Sequence, residues 1–206
     1  MQTSPNASVV VIGAGRIGRC IARILREHAH YSVTLADVNP QALVAPAEAG
    51  FATQVLDDLK AERLAALINS HHAVISACGF RDNPQIAEAA LHAGASYFDL
   101  TEDVASTRAI RAIAEQARPG QVFVPQCGLA PGFIGILGSA LAQRFEQLHT
   151  LKLRVGALPE YPSNSLMYNL TWSTEGLINE YCNPCEAIKN GRYVELQPLE
   201  RSEEHT

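Results

Sequence analysis

Residues 9–37 constrain the fold of this chain more than any other stretch. The apolar run Val9-Val10-Val11-Ile12 meets Gly13-Ala14-Gly15-Arg16-Ile17-Gly18. A helical pattern follows, and then Ser32-Val33-Thr34-Leu35-Ala36 ends on Asp37. Each glycine has a separate task. Gly13 permits a tight turn off the strand, Gly15 lets a ligand approach the backbone, and Gly18 lets the helix pack close to the sheet. The helix start adds unpaired N–H groups and a positive dipole end. These features predict a strand–turn–helix–strand unit that binds a dinucleotide. Gly13, Gly15, Arg16, Ile17 and Gly18 would surround the diphosphate, with Asp37 and Val38 at the ribose. A carboxylate in that place accepts from a ribose 2′-hydroxyl and repels a 2′-phosphate, and no cation follows in Val38-Asn39-Pro40. NAD is therefore expected in preference to NADP. Within the helix, Ile17, Cys20, Ile21, Ile24 and Leu25 share a face and predict its buried side, with Arg16, Arg19, Arg23 and Arg26 elsewhere.

The same rhythm continues to residue 125. Strands are predicted at 52–56, 73–77, 96–99 and 122–124. Helices are predicted after Pro40 (capped by Asp37 or Asn39), over 59–70 (capped by Asp57 or Asp58), over 84–93 and over 103–117. The expected fold class is α/β, a doubly wound parallel (Rossmann) sheet of order 3-2-1-4-5-6. Ligands lie outside the carboxyl ends of such strands. That rule draws attention to Cys78 and Gly79, to Asp99, Thr101 and Glu102, and to Cys127 and Gly128. The texture changes near residue 131. Residues 133–145 read as a helix. Leu151, Leu153 and Val155 alternate with Lys152 and Arg154, which predicts a strand with one wet face. A helix capped by Ser173 and a hairpin turning at Asn190-Gly191 follow. The organisation expected is a dinucleotide-binding domain over 1–130 and the first part of an α+β substrate domain with antiparallel sheet over 131–200. Arg201-Ser202-Glu203-Glu204-His205-Thr206 reads like a translated sequencing adapter and is set apart as a foreign tail.

Composition narrows the partners. A chain of 206 residues with 47% hydrophobic content and net charge −5 has room for a core and little attraction for nucleic acid or anionic membranes. No apolar stretch is long enough to span a bilayer, and the N-terminus lacks the basic and apolar regions of a signal peptide, so the cytoplasm is expected. Cys182-Asn183-Pro184-Cys185 has no second cysteine pair to complete a zinc site. It reads as a turn, and no metal is expected.

Three segments together resemble the saccharopine dehydrogenase superfamily, nearest its lysine 6-dehydrogenase branch. They are Tyr97-Phe98-Asp99-Leu100-Thr101-Glu102, Cys127-Gly128-Leu129-Ala130-Pro131-Gly132 and the run Tyr168 to Leu177 (YNLTWSTEGL). The resemblance runs from about residue 9 to 199 and covers only the front part of a family member. It implies hydride transfer between a nicotinamide coenzyme and the carbon bearing an amine of an amino acid. Homo-oligomers are also implied for the full-length protein. A lysine ε-amine titrates near pH ~10.4 in water, so the site must desolvate it or supply a base.

Glu102 and Asp99 are the carboxyl groups nominated as base or ammonium anchor. Thr101-Glu102-Asp103 reads equally as a helix N-terminus. Tyr168 is nominated as acid or base. Thr101, Cys127, Asn169, Thr171 and Trp172 are nominated as substrate-pocket residues, with Cys127 a wall and not a nucleophile. Cys78, Gly79 and Gly128 should border the coenzyme. Arg81 either meets a carboxylate or is an exposed loop arginine. Three functions stay open: oxidative deamination of lysine or a relative with NAD, reductive secondary-amine formation with NADPH, and a non-catalytic nucleotide-binding module.

Overall fold

The computed structural model describes residues 7–28, 30–155, 160–161 and 174–197. Six parallel strands carry the first part: β1 (Ala7–Ile12), β2 (Tyr31–Asp37), β3 (Ala52–Val55), β4 (Ala73–Ser76), β5 (Ser96–Asp99) and β6 (Phe123–Val124). Their spatial order is β3-β2-β1-β4-β5-β6, as the alternation predicts. The connecting helices are α1 (Arg16–Glu27), α2 (Pro40–Glu48), α3 (Ala61–Ile68), α4 (Asn83–Ala93) and α5 (Val104–Ala114). The central strand β1 is buried on both faces, which is why it reads as an unbroken apolar run. Val10 and Ile12 join Leu64, Ile68, Ile86, Tyr97 and Ile110 on one side. Val11 joins Ala22, Val33, Leu35 and Leu43 on the other.

Local details depart from expectation in instructive ways. The buried stripe of α1 is Gly18 and Ala22, flanked by half-buried Ile21 and Leu25, while Ile17, Cys20 and Ile24 are exposed. Two small residues one turn apart let the helix axis approach the sheet, which rotates the neighbouring apolar stripe into solvent. Asn39 is the cap of α2, accepting from Gln41 N–H at 3.0 Å. The cap position of α3 is Lys60. Asp58 acts two residues earlier, accepting from Lys60 N–H at 3.1 Å and pairing with its ammonium at 2.7 Å.

Beyond β6 the chain makes a wide turn over Leu129–Phe133, then α6 (Ile134–Ala142), α7 (Thr174–Cys182) and an antiparallel hairpin, β7 (Cys185–Lys189) with β8 (Arg192–Leu196). Asn190 and Gly191 turn that hairpin at φ 53° and 71°, the primed geometry that Asn-Gly favours. Among the described residues, 151–155 form no strand of a sheet, and all five are exposed. Leu153 instead packs against Gly138 of α6, where an added Cβ would sit 2.5 Å from its methyl carbon. Among the described residues no helix is long and apolar enough to cross a membrane.

Candidate functional site

The strand order reverses between β1 and β4, so the crevice that receives a ligand opens there, at the carboxyl ends of both strands. The glycine turn occupies this point. Gly13 has φ +99°, and a Cβ on it would meet Ala77 O, just past β4, at 2.8 Å. A Cβ on Gly18 would collide with Gly13 O at 1.8 Å. Gly15 differs from both: no atom lies within 4 Å of the position its Cβ would take. It opens α1 with no side chain capping the helix, so the first N–H groups face open space. That is a cradle shaped for a diphosphate. Asp37 reaches into the same turn. Its Oδ2 accepts from Ala14 N–H at 2.6 Å and its Oδ1 from Asn39 N–H at 2.8 Å. The acid at the end of β2 and the glycine turn after β1 are therefore one structure. Arg16, Ile17 and Val38 stand exposed around it.

Cys78 closes the floor. Its thiol donates to Ile12 O at 3.4 Å, and burial pushes its pKa up to about 12. Gly79 is exposed beside it.

Asp99 proves to be the centre of a buried polar network and is 0% exposed. Its Oδ1 accepts from Thr101 N–H and Gln126 N–H, both at 2.9 Å, and its Oδ2 accepts from the Tyr97 hydroxyl at 2.8 Å. Its main-chain carbonyl accepts from Cys127 N–H at 2.8 Å and from the Cys127 thiol at 2.9 Å. The nominated acid thus grips the strand-to-hinge junction, where Gln126 adopts φ 61°. Burial, reinforced by the adjacent Asp99, raises the Tyr97 phenol far above its usual range. Tyr97 also donates to Asn83 O at 3.3 Å, and Ser76 donates to Asn83 Oδ1 at 2.6 Å. Ser76 and Asn83 escape sequence reasoning. The only hint is a serine closing an apolar strand and an asparagine opening a helix.

The rim beside Asp99 follows the helix-start alternative. Thr101 is 3% exposed and its hydroxyl oxygen accepts from Asp103 N–H at 3.1 Å. Asp103 caps α5, accepting from Ser106 N–H at 2.7 Å. Partial burial raises the Asp103 carboxyl, but the hydrogen bonds from Ser106 and Asn179 outweigh it and hold the group below its ordinary value. Glu102 is half-buried between these two residues. α7 crosses over this rim: Asn179 donates to Asp103 at 3.3 Å, and Arg81, in the loop after β4, pairs with Glu175. Arg81 therefore meets a carboxylate of the chain itself. Gly128 lies against Leu100. A Cβ on Gly132 would meet Gln126 O at 2.6 Å, so this glycine lets the wide turn fold back on the hinge. Tyr168, Asn169, Thr171 and Trp172 lie outside the described residues.

Cys127, like Cys78, has its pKa raised, first by burial and then by the charge of Asp99. Thiols held protonated react slowly. Cys20 and Cys182 are exposed. Iodoacetamide at pH 8 should therefore label Cys20 and Cys182 first and leave Cys78 and Cys127 intact until the fold opens. Peptide mass mapping checks this, and early labelling of Cys78 would contradict the burial described.

A doubly wound sheet with an uncapped glycine turn at its switch point and an acid docked on that turn defines a dinucleotide-binding protein. The saccharopine dehydrogenase NADP binding domain matches residues 9–124, and the saccharopine dehydrogenase C-terminal domain matches 128–205. The chain belongs to the saccharopine dehydrogenase family of oxidoreductases. Solved structures share its fold. Saccharopine dehydrogenase (L-Glu forming) from Saccharomyces cerevisiae superposes with a TM-score of 0.68 at 18% identity, over 93% of this chain and 44% of that one. GenD2 from gentamicin A biosynthesis, in complex with NAD, gives 0.52 at 18% identity over 69% of this chain and 40% of its own. Myo-inositol 2-dehydrogenase from Lactobacillus plantarum gives 0.51 at 18% over 68% and 40%. The chain spans less than half the length of these proteins.

Proposed function

We propose that this chain carries the coenzyme site and the first part of the substrate site of an NAD-dependent oxidoreductase acting on the CH–NH bond of an amino acid. Oxidative deamination of lysine or a relative is the reaction favoured. One observation carries the coenzyme half: the open space at Gly15, bounded by two glycines that admit no Cβ and by the carboxyl of Asp37 bonded to Ala14 N–H. Nicotinamide, when bound, supplies the hydride acceptor. The residues of the chain do the rest. Asp37 has lone pairs to spare for ribose hydroxyls. Backbone at Gly79 and Gly128 lines the nicotinamide side. Cys127, held protonated against Asp99, walls the pocket. Glu102, half-buried on the rim, is the group assigned to take the amine proton or anchor the ammonium. Tyr168, Asn169, Thr171 and Trp172 are assigned to the pocket roof. The partner is a small amino acid, the full-length protein is a homo-oligomer, and the compartment is the cytoplasm.

The match to a domain described as NADP-binding favours a second reading, reductive secondary-amine formation with NADPH. Fluorescence titration separates the two. NADH should bind about tenfold or more tightly than NADPH, about 1.4 kcal/mol or more. Equal affinities would remove the NAD preference, and binding of neither would remove the coenzyme assignment. Reduction of NAD by L-lysine in a full-length protein tests the reaction.

A further inference from the structure

Helix α1 carries a row of four arginines, Arg16, Arg19, Arg23 and Arg26, along one side of a groove of about 350 Å³. The opposite wall is Ala45, Pro46, Ala49 and Phe51, from α2 and the chain leading to β3. Spacings of three and four residues place successive guanidiniums on adjacent turns, where like charges repel. Among the described residues none of the four has an Asp or Glu within ion-pairing distance, since the ion pairs there are made by Lys60, Arg63 and Arg81. This accumulation stands out in a chain of net charge −5.

Two of the four are held without being neutralised. Arg26 donates to Ala49 O at 2.8 Å, and its guanidinium carbon sits over the Phe51 ring, 3.6 Å from the centroid. Arg19 donates through Nε to Gly15 O at 3.3 Å. A carbonyl and an aromatic face orient a guanidinium and leave its net charge and its outer N–H groups available. Fixed, uncompensated donors around a small concavity are what a preorganised anion site needs. The volume falls in the small-ligand range. The row is short, about 15 Å from Arg16 to Arg26 at helical rise, and one wall is uncharged. A compact anion fits this better than a polymer.

We propose that the α1–α2 groove is a second anion site, separate from the glycine turn, which takes a compact multivalent phosphate such as inorganic pyrophosphate. Arg19 and Arg23 are the residues to test, because Arg16 borders the coenzyme turn and Arg26 supports Phe51. Calorimetry of the 206-residue chain with pyrophosphate should show a site that weakens with salt and remains when NAD fills the glycine turn. The double variant Arg19→Ala, Arg23→Ala should bind pyrophosphate about tenfold more weakly and NAD unchanged. Absence of pyrophosphate binding, equal binding by the variant, or loss of the site when NAD is added would each overturn the proposal. Competition by NADPH alone would also overturn it, by showing that the groove serves the coenzyme 2′-phosphate. Pyrophosphate bound and variant-sensitive in a chain that binds no NAD would uphold the groove and sink the coenzyme assignment, so the two can fail independently.

Discussion

Gly18→Ala should cost the chain both stability and coenzyme binding, whereas Gly15→Ala should cost chiefly coenzyme binding. The Cβ added at Gly18 would lie 1.8 Å from Gly13 O and 3.0 Å from Gly13 C. These are backbone atoms at a turn already pinned by Gly13 N–H to Ala36 O at 2.8 Å. Relief requires α1 to lift off the sheet, which would also expose Ala22. Overpacking of this kind costs about 3 kcal/mol, here at the upper end because no flexible side chain can yield. At Gly15 an added Cβ meets nothing within 4 Å, and φ is −68°. Alanine fits there, with at most about 1 kcal/mol lost from a poorer helix cap. The methyl group would, however, stand where the diphosphate must approach. Losing one or two charge-assisted hydrogen bonds predicts roughly a tenfold to hundredfold weaker NADH affinity. Denaturant unfolding and fluorescence titration of both variants check the contrast. If Gly15→Ala binds NADH normally, the ligand does not lie at this turn.

The other large effect is expected at Asp99. Replacement by alanine leaves the N–H groups of Thr101 and Gln126 without their acceptor, and the Tyr97 hydroxyl with only the longer bond to Asn83 O, at a buried to part-buried junction. Unsatisfied buried donors cost about 1–3 kcal/mol each, so Asp99→Ala should lose about 3–5 kcal/mol in total, after partial relaxation. In a domain of this size that lowers Tm by about 10 °C or more. Asp99→Asn should be far milder. Its amide oxygen can keep both N–H groups, its NH₂ can donate to the Tyr97 oxygen, and the Tyr97 proton can turn to Asn83 O, already 3.3 Å away. A loss of about 1 kcal/mol is expected. The pair also decides what Asp99 is for. A positioning residue predicts that Asn rescues both Tm and turnover in the full-length protein. If Asn restores Tm yet turnover collapses, Asp99 is a base and the buried arrangement described here must open during catalysis.

The glycine turn proposed to hold the coenzyme was legible in the chain because its determinants are local. Gly13, Gly15 and Gly18 lie within a stretch of six residues, and the absence of a Cβ is a property readable at each position. The burial of β1 on both faces likewise shows as four consecutive apolar residues. Asp37 was legible because a regular βαβ unit fixes where its second strand ends. The strand expected over 151–155 is not among the described strands: period-two alternation is local, but whether a segment enters a sheet is not. The stripe Ile17, Cys20 and Ile24 failed because two small residues, Gly18 and Ala22, decide how closely α1 lies on the sheet.

The sequence by itself determined a doubly wound sheet, its strand order, a glycine turn at the switch point and the kind of ligand such a turn accepts. Only the tertiary structure decided the roles of the charged groups. Asp99 is held by the Tyr97 hydroxyl and the N–H groups of Thr101 and Gln126, Arg81 pairs with Glu175, and the arginines of α1 line a groove shared with α2. The reason is one of range. Backbone conformation and apolar periodicity are set by neighbours a few residues apart. The hydrogen-bonding capacity of a carboxyl or guanidinium is taken up by whichever distant segments the fold brings within about 3 Å, and no spacing along the chain records that choice.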